Sequence, residues 1–282
     1  MENKLTIQFL ICTINERIVQ IPSMLLAPTS GVSYLVSWQM TRESLIDAMT
    51  QLQIQEALAF LDQRSDVHVI KCQSRGLSKN RNNALSKATG DLLVIADDDC
   101  IYSSDSIFSI YQAFKQYPDA SIIQMMIHDY LENPIHQYPD YSYDYASAPR
   151  GTYISSCELV LRRSSCLPHF DERFGIGTYL GCGEEEVFVY RAHSAGLKVY
   201  FVPLVLVKTD GATTGTRFVT QPSVQRAKGA VLSVIYGPFS AVLRCFKFVF
   251  IVLHCGFFHK IACFIQTLKG ICYEVYTRHS IL

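Results

Sequence analysis

The feature that most constrains this chain is a short apolar run that ends on three consecutive aspartates. Leu92 to Ala96 are all apolar, with Gly90 shortly before them and Asp97, Asp98 and Asp99 directly after. Such a run is typical of a strand buried on both faces of a parallel sheet. Isolated ionised carboxylates are too costly to bury, so the acids must meet solvent, basic side chains or a metal ion. The run therefore predicts a buried strand that ends at a solvated acidic turn or at a cation site.

The basic segment before this strand points to a phosphate. Ser78 is a predicted N-cap and Gly90 a predicted C-terminal stop for a helix of about three turns. Lys79 and Arg81 fall in its first turn and Arg75 lies just outside, although the helix dipole disfavours cations there. The conflict is resolved if the helix start binds an anion, and a solvated basic face is the alternative. Because Mg²⁺ and Mn²⁺ prefer oxygen ligands, the two segments together predict a metal-bridged diphosphate.

Five motifs, in order along residues 5–210, resemble the family 2 glycosyltransferases of the GT-A fold. The resemblance implies an α/β fold: a three-layer α/β/α sandwich as the catalytic domain over residues 1–220, with a C-terminal helical appendage over residues 221–282. Strand-like segments at Thr6–Thr13, Ile154–Arg163 and Val199–Val207 agree with such a domain. The five motifs are the turn Thr13–Arg17, the helix start Gly76–Asn82, the acids Asp97–Asp99, the segment Phe170–Gly175 and the glutamates of Gly183–Glu186.

The resemblance implies a site for a nucleotide-diphosphate sugar, with a UDP-sugar as the expected donor. It assigns a divalent cation, Mn²⁺ or Mg²⁺, to Asp99 together with Asp97, where the cation would bridge both phosphates as a Lewis acid. Arg81 would neutralise a phosphate or lie over the base, and Asp98 would support its neighbours. The expected donor-binding residues are Thr13, Asn15, Glu16, Arg75, Arg81, Asp97 and Asp98.

The acceptor hydroxyl needs a base, and the glutamates near the start of the predicted helix Glu185–Ala195 are the candidates. In the family pattern the second acid is the base, which here is Glu185, and Glu184 remains open. Acids at a helix start also complement the helix dipole, and this is the preferred interpretation of Glu186. One departure from the family is that Lys208-Thr209-Asp210 follows the late strand where many members have a histidine.

The C-terminal part differs from the rest of the chain in charge. The chain has 25 basic and 25 acidic residues, but residues 222–282 hold seven Lys or Arg and one acid, which gives +6 there and −6 elsewhere. Arg244, Lys247 and Lys260 interrupt the apolar runs, so a clean membrane span of about 20 residues is absent. The pattern favours helices lying on an anionic bilayer surface. Packing on the catalytic domain or on a second subunit is one alternative, and a single span over Val249–Leu268 is another.

The cysteines and the first residues predict a cytoplasmic protein. Ten cysteines are scattered along the chain without a Cys-x-x-Cys motif, which is typical of free thiols in a reducing compartment. Met1 to Lys4 lead directly into a short strand, so no export signal is visible. A net charge of zero does not favour nucleic acid as a partner. With the basic tail, these features predict a protein that is peripheral at the inner face of the cell membrane.

The predicted activity is inverting transfer of a hexose to a hydroxyl of a lipid-linked or growing surface glycan, of the bacterial surface-polysaccharide type. A nucleotidyltransferase, which also combines acids, a metal and a basic loop, is one alternative. The other is an inactive, membrane-docked glycan-binding protein, which the missing histidine and the glutamate in place of the usual aspartate suggest.

Overall fold

The computed structural model describes residues 5–41, 47–149, 151–210 and 214–278. The chain divides into two compact units. The first unit comprises residues 1–75, 79–169 and 191–211, and the second comprises residues 76–78, 170–190 and 212–282. The domain boundary predicted near residue 220 stays a prediction.

The first unit is built on a mixed sheet of eight strands. The spatial order is β3-β2-β1-β4-β7-β5-β8-β6, in which only β7 and β6 run antiparallel to their neighbours. The parallel strands therefore all end at one edge of the sheet, which is where open α/β sheets bind ligands. The strands are β1 (Ile7–Ile14), β2 (Val32–Gln39), β3 (Val67–Cys72), β4 (Leu92–Asp97), β5 (Ile122–Asp129), β6 (Tyr143–Asp144), β7 (Leu159–Arg162) and β8 (Val199–Thr209).

The described residues form eight α-helices, joined by short 3₁₀ and π turns. The 3₁₀ turn Asn15–Gln20 follows β1 directly, and a second one, Ser156–Glu158, precedes β7. The α-helices are α1 (Ile21–Met24), α2 (Ala48–Asp62), α3 (Leu77–Lys87), α4 (Ser104–Gln116), α5 (Glu184–Ser194), α6 (Pro222–Tyr236), α7 (Pro238–Lys247) and α8 (Phe257–Arg278).

Side-chain alternation along β2 explains the layers of the first unit. Val36 belongs to a buried apolar cluster that also holds Ile54 of α2 and Ile110 of α4, so these helices cover one face of the sheet. The next residue, Ser37, points to the other face and accepts a hydrogen bond of 2.8 Å from Asn83 of α3. Helices thus flank both faces, which confirms the predicted α/β architecture.

Two predicted ends of the helix before β4 are wrong. Ser78 lies inside α3 rather than at its N-cap, and its hydroxyl donates to the carbonyl of Phe174 at 2.7 Å. The helix ends at Lys87, so Gly90 is not its C-terminal stop. Gly90 is required by a close approach instead, because a Cβ there would lie 2.6 Å from the Cβ of Gln8.

The predicted strand Ile154–Arg163 is shorter than expected. Residues Ser156–Glu158 form a 3₁₀ turn, and the strand β7 covers only Leu159–Arg162. The turn begins with a capping box, in which Ser155 and Glu158 exchange side-chain and backbone hydrogen bonds. This pattern stops the strand, because it satisfies the backbone groups locally rather than across the sheet.

The second unit contains the predicted helical appendage. Helices α6 and α8 touch at backbone distance: a Cβ at Gly229 would lie 2.0 Å from the carbonyl oxygen of Thr267, and one at Gly270 1.9 Å from that of Arg226. Only glycine permits such an approach. Within the described ranges, none of the helices has the length and apolar character needed to cross a membrane. All ten cysteines are free thiols.

Candidate functional site

Asp97 stands at the carboxyl end of β4, beside the end of β1, and is held by a buried arginine. Its Oδ1 accepts a hydrogen bond of 2.8 Å from Nη2 of Arg81 on α3. The same nitrogen donates to the hydroxyl of Ser156 at 2.7 Å, and that hydroxyl lies 3.4 Å from the other Asp97 oxygen. The Arg81 side chain is 1% exposed and that of Asp97 33% exposed. Arg81 therefore fixes Asp97 in the structure, and its contact with a donor phosphate stays a prediction.

Asp98 is buried and is held by Thr13 and Arg17, and its predicted role in supporting Asp97 and Asp99 at the donor site stays a prediction. Its Oδ2 accepts from the hydroxyl of Thr13 at 2.7 Å, and both of its oxygens accept from Nε of Arg17 at 2.9 Å. A carboxylate is costly to bury without hydrogen-bond partners. The hydroxyl and the guanidinium provide those partners.

Arg17 is the residue at this site that sequence reasoning did not assign. It lies in the turn after β1, pairs with Asp98, and places Nη2 3.4 Å from Oδ2 of Asp99. The signal was its place in the Thr13–Arg17 motif, where the arginine comes one residue later than in the family's Thr-x-Asn-Arg turn. Nothing local in that motif indicates that the side chain folds back onto the acids, because they lie some 80 residues further along the chain.

Asp99 is the acid that remains open to a ligand. Its side chain is half exposed. Partial burial is the main cause that raises the pKa of its carboxyl, and the nearby charges of Asp97 and Asp98 raise it further. Asp210 adds a smaller effect in the same direction, while Arg17 opposes it. Negative charge is therefore in excess around Asp99, which favours binding of a cation.

The remaining donor-side residues are distributed unevenly. Asn15 adopts a positive φ of 52°, and its Oδ1 accepts from the backbone N–H of Thr41 at 2.7 Å, so its side chain shapes the turn. The Asn15 carbonyl accepts from the indole of Trp38 at 2.8 Å. Glu16 and Arg75 are both exposed. The structure thus brings Thr13, Arg81, Asp97, Asp98 and Asp99 together, and the donor contacts predicted for these and the other residues stay predictions.

The donor set fits a divalent cation that shares its coordination with a phosphate. Among the residues that the structure describes, no three His, Cys, Asp or Glu side chains form a group able to hold a metal ion. Mg²⁺-type sites commonly use one or two carboxylates and complete the coordination with substrate phosphates and water. Asp99 and the exposed part of Asp97 match that requirement.

Behind the acid cluster lies a second buried carboxylate that the sequence reasoning missed. Glu158 is fully buried and accepts hydrogen bonds from Tyr138 Oη at 2.5 Å, Gln124 Nε2 at 2.7 Å and the N–H of Ser155 at 3.0 Å. Burial raises the pKa of its carboxyl to about 7. These bonds fix the turn that carries Ser156, which contacts Arg81 and Asp97. The Ser155-x-x-Glu158 spacing of a capping box was the available signal.

In the second unit, the candidate bases lie in the first turn of α5. Glu184 and Glu185 are both buried, at 4% and 9% exposure, while Glu186 is only partly covered. Gly183 precedes them with a φ of 85°, where a side chain would be strained. Burial is the main cause that raises the pKa of the Cys182 thiol, and the charges of Glu185 and Glu184 raise it further. The glutamates thus form a concentrated negative charge at a helix N-terminus, where the dipole stabilises it.

A buried ion network anchors the segment before these glutamates to the C-terminal helix. Arg173 pairs with Asp171 at 2.6 Å and donates from Nη1 to Thr277 Oγ1 at 2.8 Å and to the Glu274 carbonyl at 3.3 Å. The Glu274 carboxylate, 1% exposed, accepts from Arg278 at 2.8 Å and 2.9 Å. The predicted appendage is therefore part of the framework that carries the candidate bases.

Comparison with known proteins identifies a family segment within the chain. Residues 49–166 match the model of the family described as Glycosyl transferase family 2. The matched segment belongs to that family, and the chain is a glycosyltransferase. The match begins in α2 and ends just after β7, so it takes in both Arg81 and the acid cluster. No curated protein matches this glycosyltransferase by sequence.

Solved structures share the fold of this glycosyltransferase at low sequence identity. The crystal structure of S. aureus TarS 1-349 aligns with a TM-score of 0.61 and 14% identity, over 97% of this chain and 82% of that one. The TarS 1-349 complex with UDP-GlcNAc aligns with a TM-score of 0.56 and 13% identity, over 96% of this chain and 84% of that one. GalNAc-T7 with UDP, GalNAc and Mn²⁺ aligns with a TM-score of 0.56 and 14% identity, over 99% of this chain and 58% of that one. These likenesses establish the GT-A fold.

Proposed function

We propose that this glycosyltransferase moves a hexose from a UDP-sugar to a hydroxyl of a lipid-linked or growing surface glycan. The observation that carries the proposal is the half-exposed Asp99 at the end of β4, surrounded by excess negative charge inside a family 2 domain. TarS and GalNAc-T7 were crystallised with UDP-GlcNAc and with UDP and Mn²⁺, which supports a UDP-sugar as the donor and Mn²⁺ or Mg²⁺ as the cation.

On the donor side, Asp99 and Asp97 would hold the cation, which when bound acts as a Lewis acid on the diphosphate leaving group. The chain's own residues keep these acids in place. Arg81 and Ser156 orient Asp97, and the Arg17 and Thr13 contacts hold Asp98 in place. Arg75, Asn15 and Glu16 are proposed to line the nucleotide site. Preorganised acids lower the cost of assembling the site during each turnover.

On the acceptor side, Glu185 or Glu184 would accept the proton of the attacking hydroxyl. As the acceptor oxygen bonds to the anomeric carbon, the bond from that carbon to the diphosphate oxygen breaks, and a nucleoside diphosphate leaves. A single displacement of this kind inverts the anomeric configuration. The burial of both glutamates supports the assignment, because a general base has to be held in a fixed position within reach of the hydroxyl.

The substitution Glu185→Gln tests the catalytic assignment. It should leave UDP-sugar affinity unchanged and abolish transfer, because the amide keeps the shape of the side chain but cannot take a proton. UDP release is measured with an acceptor glycan, and donor affinity by calorimetry. Glu186→Gln, at the partly covered neighbour, serves as the matched control and should retain activity.

Other outcomes of the same assays would replace the proposal. If only Glu184→Gln loses transfer, Glu184 is the base. Release of pyrophosphate instead of UDP would identify a nucleotidyltransferase. Metal-independent UDP binding without turnover of any sugar nucleotide in a panel would identify an inactive binding protein.

A further inference from the structure

Helix α7 exposes its apolar side chains and buries its small ones. Phe239 is 90% exposed and Leu243 73%, and with Phe246 they lie four and three residues apart on one side of the helix. The opposite side carries Ala241 and Cys245, which are completely buried. A helix packed only for solution would place the large apolar residues inward. The outward face of α7 therefore indicates a partner.

This face continues beyond α7 through a chain of aromatic rings. The ring of Phe246 lies 4.8 Å from that of Phe250, which lies 6.5 Å from Phe257, and Phe257 lies 6.0 Å from Phe258. Phe257 and Phe258, at the start of α8, are 66% and 85% exposed. The docking face is defined here as Phe239, Leu243, Phe246, Ile251, Val252, Phe257 and Phe258, all more than half exposed.

The charges around the docking face are all positive. Arg244 and Lys247 are exposed beside it on α7, and Lys260 follows on α8. The sequence holds no Asp or Glu from residue 211 to residue 273. The first acid after that stretch, Glu274, is buried and paired with Arg278, so it does not offset these charges. A second copy of the chain would bring like charges together, whereas anionic lipid phosphates complement them.

We propose that the docking face binds the surface of an anionic lipid bilayer. The seven apolar side chains enter the boundary between headgroups and acyl chains, and Arg244, Lys247 and Lys260 contact lipid phosphates. The inference rests on the proposed function in one respect, that the acceptor is carried on a lipid. The docking face belongs to the same compact unit as Glu184 and Glu185, so it would hold the candidate bases at the membrane where such an acceptor resides.

Vesicle sedimentation of the full-length protein tests this inference. Vesicles of phosphatidylcholine alone are compared with vesicles that also contain phosphatidylglycerol. The wild type should bind the anionic vesicles more tightly. The triple variant Phe239→Ser/Leu243→Ser/Phe258→Ser should lose more than about tenfold in partitioning because it removes inserted apolar area. Each substitution in Arg244→Gln/Lys247→Gln should cost on the order of fivefold on anionic vesicles only.

A control variant removes three exposed apolar residues elsewhere. Met49, Leu52 and Phe108 lie in the first unit and are 50% to 67% exposed, and Met49→Ser/Leu52→Ser/Phe108→Ser should bind vesicles as the wild type does. Thermal unfolding verifies that each variant folds. Absence of wild-type binding, or equal losses in both triple variants, would overturn the inference. So would a shift from dimer to monomer in the docking-face variant without vesicle binding by the wild type, which would identify a subunit interface.

Nucleotide binding separates this inference from the proposed function. UDP affinity is measured on the same proteins in the absence of vesicles. Retained UDP affinity with lost vesicle binding in the docking-face variant supports membrane docking. Vesicle binding without UDP binding in any of the proteins would leave docking established and contradict the proposed donor.

Discussion

The acid cluster of the first unit and the glutamate segment of the second are built in different ways. Asp97, Asp98 and Asp99 sit at a strand end, and their partners come from turns and helices next to neighbouring strands of the same sheet. The glutamates of α5 follow a segment whose Arg173 is bonded to residues about 100 positions further along, on the last helix. The acid cluster is thus a property of the sheet, whereas the glutamate segment depends on the C-terminal helices.

The largest expected effect comes from breaking the buried network of the second unit. Arg173→Met leaves the carboxylate of Asp171, 1% exposed, without its guanidinium. Removing one partner of a buried pair costs about 3–5 kcal/mol of unfolding free energy. Chemical denaturation measures the loss. UDP affinity of the folded protein should change little, because Asp97, Asp99 and the other proposed donor residues belong to the first unit.

An exposed ion pair in the first unit provides the control for this prediction. Glu132→Gln removes the partner of Lys208, in a pair whose side chains are 64% and 38% exposed. Its cost should be small, because solvent screens an exposed ion pair. A loss at Arg173 no larger than the loss at Glu132 would show that α8 does not anchor the glutamate segment.

A smaller effect, dependent on pH, is expected behind the acid cluster. The carboxyl of Glu158 has a pKa raised from 4.5 to about 7 by burial, so between these pH values the folded state binds more protons than the unfolded state. Its contribution to stability is therefore greatest below pH 4.5 and falls by about 3 kcal/mol as the pH rises through 7. Glu158→Gln should remove this fall, and its amide can still bond to Tyr138 and Gln124.

Denaturation of wild type and Glu158→Gln between pH 5 and pH 8 checks this prediction. His136 lies 4.0 Å from Glu158, and burial lowers the pKa of its ring, so both proteins share an opposite but smaller trend. The difference between the two stability curves should therefore grow with pH. Parallel curves would mean that Glu158 is ionised in the fold at every pH tested, with its three hydrogen bonds offsetting burial.

The same contrast explains how much the sequence could predict. The buried strand β4 and its acids follow from five apolar residues and three aspartates, because burial and charge are local properties of that run. The α/β architecture and the family followed from the order of such motifs. Arg17 and Arg173 were not predicted as partners, since each meets its acid through packing of elements far apart in the chain. The predicted N-terminus of α3 was wrong for a related reason. The hydroxyl of Ser78 donates to the carbonyl of Phe174, and this tertiary contact takes the place of the predicted N-cap bond.

In the proposed mechanism, Asp99 binds a cation that holds the nucleotide. Calorimetry of UDP binding with and without Mn²⁺, on the wild type and on Asp99→Asn, measures this dependence. Asp140→Asn, at an exposed acid outside the cluster, is the control. We predict that Mn²⁺ tightens UDP binding to the wild type and to the control, and that Asp99→Asn abolishes this gain without changing thermal stability. An equal gain from Mn²⁺ in Asp99→Asn would show that Asp99 does not hold the cation.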